Sequence, residues 1–186
     1  MTRQLISTLF YSVDGVASDP FRFQHDSFFD ADLAGLMTEA IGRIDDVVLG
    51  RVTYGEWAGY WPGHTGEDAG FADFINGVRK HVASRTLSPE ELTWSGASLI
   101  EGDLLEHVRA LKAAEGGDIA VQGSLSVVRQ LVEAGLIDAL TLIIHPAITG
   151  SGRSLFEGSP ATRLRLIEAS STQRGNVVAV YGPYRD

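Results

Sequence analysis

The chain has no cysteine. That absence removes disulfides, thiol catalysis and the thiolate zinc sites that hold many small domains together. A basic surplus is missing too: 15 Lys and Arg stand against 24 Asp and Glu, for a net charge of −9. A general nucleic-acid or anionic-membrane surface needs a basic patch, so neither partner class is expected, and any anion must be held by a few well-placed arginines. No apolar run is long enough to span a bilayer. The first, Leu5 to Val13, is interrupted by Ser7, Thr8, Tyr11 and Ser12 and runs into Asp14 and Gly15. With no small-residue cleavage pattern behind it, this stretch reads as the first β-strand of a cytoplasmic protein. No low-complexity segment, repeat or linker divides the sequence, so residues 1–186 are expected to form one domain, burying ~70% of its unfolded surface. His25, His64, His81, His107 and His145 show no metal-ligand spacing, and no Ser, His and acid form a recognisable triad, so no metal and no hydrolytic centre is expected.

What the chain does contain is a recurring order of strand, glycine and helix. Asp118 to Phe156 reads as an apolar strand (Ile119 to Val121), a glycine turn, an amphipathic helix with Val127, Val128, Leu131 and Val132 on one face, and a second apolar strand (Ala139 to His145). In such a βαβ unit the free N–H groups of the helix start lie at the strand's carboxyl end, where they attract anions. Ile44 to Leu49 repeats the arrangement, followed by Gly50, Arg51 and Thr53: a glycine for close backbone approach, a planar fork of donors and a first-turn hydroxyl. A third strand, Val78 to Ala83, ends in Ser84, Arg85 and Thr86. The carboxyl ends of parallel strands line one crevice, so three such ends can converge on one phosphate-rich ligand. Singly, each turn is an ordinary connection and each arginine a solvated side chain; the joint placement carries the reading.

The rest of the pattern completes an α/β architecture. Asp30 suits the N-cap of a helix from Ala31 to Gly42, with Leu33, Leu36, Met37 and Ile41 inward. Further helices are expected from Gly50 to about Gly59, over Phe71 to Asn76 and over Asp103 to Ala114, with Leu99 and Ile100 ending another strand. Arg163 to Ser170 and Asn176 to Tyr181 alternate as a hairpin turning at Thr172 to Gly175. The expected sheet is mostly parallel, flanked by helices, with an antiparallel edge at its C-terminal end. No helix follows Gly150 to Ser154, GSGRS, so this phosphate-loop lookalike reads as a turn.

Five segments in this order, SVDGVAS, VLGRVTYGEW, KHVASRTL, VQGSLSVVRQL and LIDALTLIIHPAITGSGRSLF, resemble the dihydrofolate reductase-like family. The branch is the one similar to the C-terminal reductase domain of bifunctional riboflavin-biosynthesis proteins, and the match runs from about Leu5 to Tyr181. The resemblance implies a dihydrofolate reductase-like fold that binds NADPH and passes a hydride to a heterocycle or carbonyl. It implies that Gly50, Arg51 and Thr53 contact the cofactor phosphates, that Ser84 and Arg85 meet the adenosine end, and that Gly123, Ser124 and Leu125 cover the pyrophosphate. One departure stands out: the family often has a Gly-Gly pair at this last turn, and here the second position is Ser124, a residue type that tolerates positive φ poorly. The family's deaminase half is missing, since neither a His-x-Glu element nor a Cys-x-x-Cys pair occurs. The resemblance also implies a homodimer paired through a sheet edge, for which the apolar strand Ala139 to His145 is the sequence candidate.

The acceptor side is less legible. By resemblance Asp14, with Gly15, sits beside the nicotinamide and is the candidate catalytic and substrate-contacting acid; an Asp-Gly pair is equally an ordinary turn. Folate-reducing relatives carry a carboxylate on the first helix, and Asp30 and Asp32 lie near that place, although acids are favoured in a first turn by the helix dipole alone. Phe28, Phe29, Trp57 and Trp61 suit an aromatic wall for a flat ring or, equally, a core. Substrate contacts are therefore expected at Asp14, Phe28, Asp32 and Trp57. Two function classes remain: an NADPH-dependent reductase of a pterin-like or pyrimidine-like acceptor, and a non-catalytic protein of the same fold that binds a nucleotide or pterin.

Overall fold

A computed structural model describes residues 3–25, 28–66 and 68–185. Its centre is an eight-stranded sheet in the order β4-β3-β2-β5-β1-β6-β8-β7. The strands are β1 Leu5–Ser12, β2 Ile44–Gly50, β3 Arg79–Ala83, β4 Ala97–Leu99, β5 Asp118–Gly123, β6 Ala139–His145, β7 Leu164–Ser171 and β8 Val177–Pro183. The first six run parallel; β8 pairs antiparallel with β6, and β7 pairs antiparallel with β8. This is the mostly parallel sheet with a C-terminal hairpin that the pattern implied.

The helices are α1 Ala31–Ile41, α2 Arg51–Ala58, α3 Ala69–Gly77, α4 Leu104–Ala113 and α5 Leu125–Glu133. Val47, Val48 and Leu49 of β2 and Ile119 and Val121 of β5 are fully buried, as central parallel strands covered on both faces require. On one face, Val48, Ile119 and Val121 pack with Val108 of α4 and Val127, Val128 and Leu131 of α5. On the other, Val47, Leu49 and Val82 pack with Tyr54 of α2 and Ile75 of α3, while Leu33 of α1 meets Ile143 and Val178. Alternate residues of β2 and β5 thus feed two separate cores.

A buried polar hub fastens the first core. The Asp46 carboxylate, 1% exposed, accepts from Arg3, from Arg79 Nη2 at 2.9 Å and from His81 Nε2 at 2.9 Å. His81 Nδ1 lies 3.0 Å from His107 Nε2 on α4. Burial alone would raise the Asp46 pKa, but the hydrogen bonds from His81 and Arg3 hold it below the usual value.

One expectation is corrected. β6 is not at an edge; it lies between β1 and β8, and the hairpin strand β7 forms that edge instead. An apolar strand late in the sequence is as easily interior as terminal, because strand order in space does not follow chain order.

Candidate functional site

The carboxyl ends of β3, β2, β5, β1 and β6 stand side by side in that order along one end of the sheet. Strands lie ~4.8 Å apart, so the row from β3 to β1 covers ~14 Å, the scale of an extended dinucleotide. The turns that leave these strands carry all eight residues expected to meet a cofactor.

The turns after β2 and β5 touch. A Cβ built on Gly50 would lie 2.1 Å from Ser124 Oγ and 2.8 Å from Ser124 N, and one on Gly123 would lie 2.7 Å from Thr53 Oγ1. Gly50 has φ −78, so glycine is needed there for space alone. Gly123, at φ +128, needs glycine for its backbone as well. Ser124 follows a cis peptide and sits at an extended φ of −67, so the serine in place of the second glycine meets no left-handed backbone. Asp30 caps α1 and Asp103 caps α4, whereas α2 and α5 begin without a side-chain cap. First-turn N–H groups of two adjoining helices are therefore left for solvent or an anion. Arg51 is exposed at the first position of α2, Thr53 is half-buried behind it, and Leu125 is half-buried at the start of α5. On β3's turn, Ser84 Oγ accepts from Thr86 N at 3.1 Å and Leu87 N at 3.0 Å, which shapes the loop that presents the exposed Arg85.

Asp14 follows β1 on the neighbouring strand end. Its carboxylate accepts from Ser12 Oγ at 2.6 Å, Thr149 N at 3.1 Å and Gly150 N at 2.8 Å. The Ser12 hydroxyl, with the backbone donors of Thr149 and Gly150, lowers its pKa to about 2. At neutral pH Asp14 is therefore an ionised clamp between the loops after β1 and β6, and has no proton to give. Val13 N donates to Ala147 O at 2.8 Å, and Arg153 N donates to Ser18 Oγ at 3.0 Å, so the GSGRS segment is a turn pinned to the β1 loop. Ser12, Thr149 and Gly150 had no signal in the sequence, because the last two lie more than a hundred residues from Asp14 and bind it through their backbone.

The residues expected at the acceptor do not form one wall. Phe28 is half-buried at the end of β6, its ring 5.9 Å from His145 and 25° from parallel. Trp57 lies near the far end of α2, edge-on to Trp61 at 6.1 Å and Phe71 at 5.8 Å, within the core between α2 and α3. Asp32 Oδ2 accepts from Gln173 N at 3.3 Å, and Asp30 accepts from Leu33 N at 2.9 Å and Arg174 N at 2.8 Å. Both acids fasten the hairpin turn to the start of α1. A surface depression of about 560 Å³, lined by Pro62, Asn76 and Trp94 among others, lies beside the starts of β3 and β4 and includes none of these residues.

Comparison with known proteins gives the family and the fold. The model of the RibD C-terminal domain matches residues 3–180. A Bacillus subtilis (strain 168) protein, YyaP, described as uncharacterised, is 27% identical over 182 residues, covering 96% of this chain and 94% of its own. A pyrimidine reductase-like protein from Corynebacterium diphtheriae superposes with a TM-score of 0.69 at 22% identity, over 99% of this chain and 93% of that one. The Thermotoga maritima diaminohydroxyphosphoribosylaminopyrimidine deaminase/5-amino-6-(5-phosphoribosylamino)uracil reductase superposes with a TM-score of 0.65 at 13% identity, over 98% of this chain and 57% of that one. The fold is that of the reductase half of such bifunctional proteins.

Proposed function

The chain belongs to the RibD C-terminal domain family, and we propose that it is an NADPH-dependent reductase passing a hydride to a flat heterocyclic or carbonyl acceptor of pterin or pyrimidine type. Family membership and the pyrimidine reductase-like neighbour support the reductase role. The observation that carries the cofactor assignment is the backbone contact between the β2 and β5 turns, where two glycines clear the space and two uncapped helix starts face one crevice. That donor set fits a pyrophosphate. In this reading Gly50, Thr53, Gly123, Ser124 and Leu125 cradle the phosphates, Arg51 and Arg85 supply positive charge, and Ser84 shapes the adenosine end. Bound NADPH supplies the hydride. The chain's own part is to hold the ring rigidly against the acceptor and to exclude water. Asp14 acts here as a positioning residue, fixing the loops beside β1 and β6. Phe28 is the proposed acceptor contact best placed along the crevice, while Asp32 and Trp57 support elements around it.

The protein is proposed to work in the cytoplasm as one domain; no helix among the described residues is long and apolar enough to cross a membrane. It is also proposed to dimerise through β7, an edge strand with exposed Leu166 and Ile167. One observation favours the second reading, a binding protein without turnover: Asp14 has no proton to donate at neutral pH.

The test is cofactor binding followed by turnover. NADPH at 100 times its Kd adds ~2.7 kcal/mol to the native state, which a thermal melt resolves. Arg51→Ala should weaken NADPH about ten-fold through loss of a charge-assisted contact to the 2′-phosphate, which NADH lacks, and should leave NADH nearly unchanged. No melting shift at millimolar NADPH removes the cofactor assignment. A shift without oxidation of NADPH by dihydrofolate, pteridines, quinones or uracil-type pyrimidines selects the binding-protein reading.

A further inference from the structure

His145 ends β6, opposite Ser12 at the end of β1, on the crevice side of the sheet. It is fully buried, yet it has a polar atom to spare. Its Nδ1 lies 2.7 Å from Asn176 Oδ1, and the orientation of that amide is set by its other end: Asn176 Nδ2 donates to the carbonyl of Phe28 at 2.7 Å. A carbonyl only accepts, so the Asn176 nitrogen must face Phe28 and its oxygen must face His145. An amide oxygen likewise only accepts, so His145 Nδ1 carries the hydrogen. In the neutral ring Nε2 is then a bare lone pair. Burial, opposed by the Asn176 hydrogen bond, keeps the ring's pKa below the usual value, consistent with that neutral state.

Nε2 has no hydrogen-bond partner among the described residues. A buried acceptor left unpaired is costly, and the great majority of such groups in folded proteins are paired. Its surroundings are aromatic: Phe10 lies at 5.5 Å and 26°, Phe28 at 5.9 Å and 25°, and Phe23 at 6.0 Å and 50°. Phe28, stacked on the imidazole, is only half-buried, and Asn176 fixes its backbone carbonyl, so entry of a ligand here would require its side chain to turn aside. Aromatic surroundings with one fixed acceptor suit a flat ring that brings a donor at its edge.

We propose that His145 Nε2 is the anchoring acceptor of the substrate site, receiving a ring N–H or amino group of a nitrogen heterocycle that enters beside Phe28. This rests on the reductase reading and narrows it, since acceptors without such a donor, quinones among them, gain nothing from His145. His145 orients the ligand and takes no part in hydride transfer.

Long-range ¹H–¹⁵N spectra of the labelled protein test the assignment, with 2,4-diaminopteridine as probe and 1,4-naphthoquinone as donor-free control, both in the presence of NADP. The free protein should show His145 Nε2 as an unprotonated nitrogen, and the diaminopteridine should shift that resonance while the naphthoquinone does not. His145→Phe should weaken the diaminopteridine about ten-fold, the loss expected when a buried donor is left unpaired, with NADPH affinity unchanged. His145→Gln, which keeps an acceptor, should recover part of the loss. A protonated Nε2 in the free protein, a resonance unmoved by the diaminopteridine, or equal probe affinity in His145→Phe overturns the proposal. The wild-type spectra decide the matter even where a variant does not fold. NADPH is read separately: if it binds and the probe does not, His145 loses its role while the cofactor assignment stands; if NADPH fails to bind, the reductase reading falls first.

Discussion

Replacing Gly50 with alanine tests whether the two phosphate-facing turns are packed backbone to backbone. The φ of −78 at Gly50 is open to any residue, so Gly50→Ala introduces no backbone strain and its whole cost is steric. The new methyl would lie 2.1 Å from Ser124 Oγ and 2.8 Å from Ser124 N. The first contact is relieved by moving a hydroxyl; the second requires the β5 turn to retreat. Overpacking of this kind costs ~1–3 kcal/mol. Ser124→Gly alone should cost only a few tenths of a kcal/mol, because Ser124 makes no capping hydrogen bond that glycine would lose. In the double variant the hydroxyl clash is gone and the backbone contact remains, so the cost should be clearly less than the sum, with a coupling of at least ~0.5 kcal/mol. Urea denaturation followed by circular dichroism supplies the four stabilities, and NADPH titration of the same proteins reports the cradle. Affinity should fall in Gly50→Ala and partly return in the double variant. Additive stabilities, or a Gly50→Ala protein as stable and as tight for NADPH as the parent, would refute the contact and with it the argument that glycine at position 50 clears space.

Other expectations concern the buried hub and acid sensitivity. Asp46→Ala leaves the buried Arg3 guanidinium without its carboxylate and should cost about 3–5 kcal/mol in urea unfolding. Arg79→Ala, on a largely exposed side chain, should cost under ~1 kcal/mol, and a reversal of that order would place the hub's weight elsewhere. His107 is held below the ordinary histidine value by burial and by the charge of nearby His81, and the unfolded chain therefore binds more protons just below pH ~6.5. Stability should be full above that pH and decline as the pH falls through the lowered folded-state value. His107→Gln should flatten this decline in melts taken between pH 7.5 and 5; an unchanged slope would remove His107 as a contributor.

Much of the architecture was legible because it depends on local periodicity. The continuous apolar runs of β2 and β5, the helical spacing of Val127, Val128 and Leu131, the Asp30 cap and the alternation of the terminal hairpin are each written within a few residues. The cofactor candidates were legible for the same reason, since Gly50 with Arg51, Ser84 with Arg85, and Gly123 with Ser124 each follow their strand directly. Strand order was not, because adjacency in a sheet joins residues far apart in the chain: β6 proved interior, and the edge passed to β7. The acceptor side was least legible, since its contacts are long-range and partly through backbone. Asp14 became a clamp only when the β6 loop brought Thr149 and Gly150 N–H groups to it. Trp57 and Phe28, both plausible stacking residues by type, were sent to different regions by the packing of α2 and β6. His145 ends an ordinary apolar strand, and only the Asn176 amide fixes which of its nitrogens is left bare. The sequence by itself determined which segments form strands and helices and which strand ends are chemically able to hold phosphate, because those depend on neighbours along the chain. The tertiary structure alone decided which ends adjoin, which acid is already spent on a backbone, and which buried nitrogen is left without a partner, because each depends on groups that only folding brings within hydrogen-bond reach.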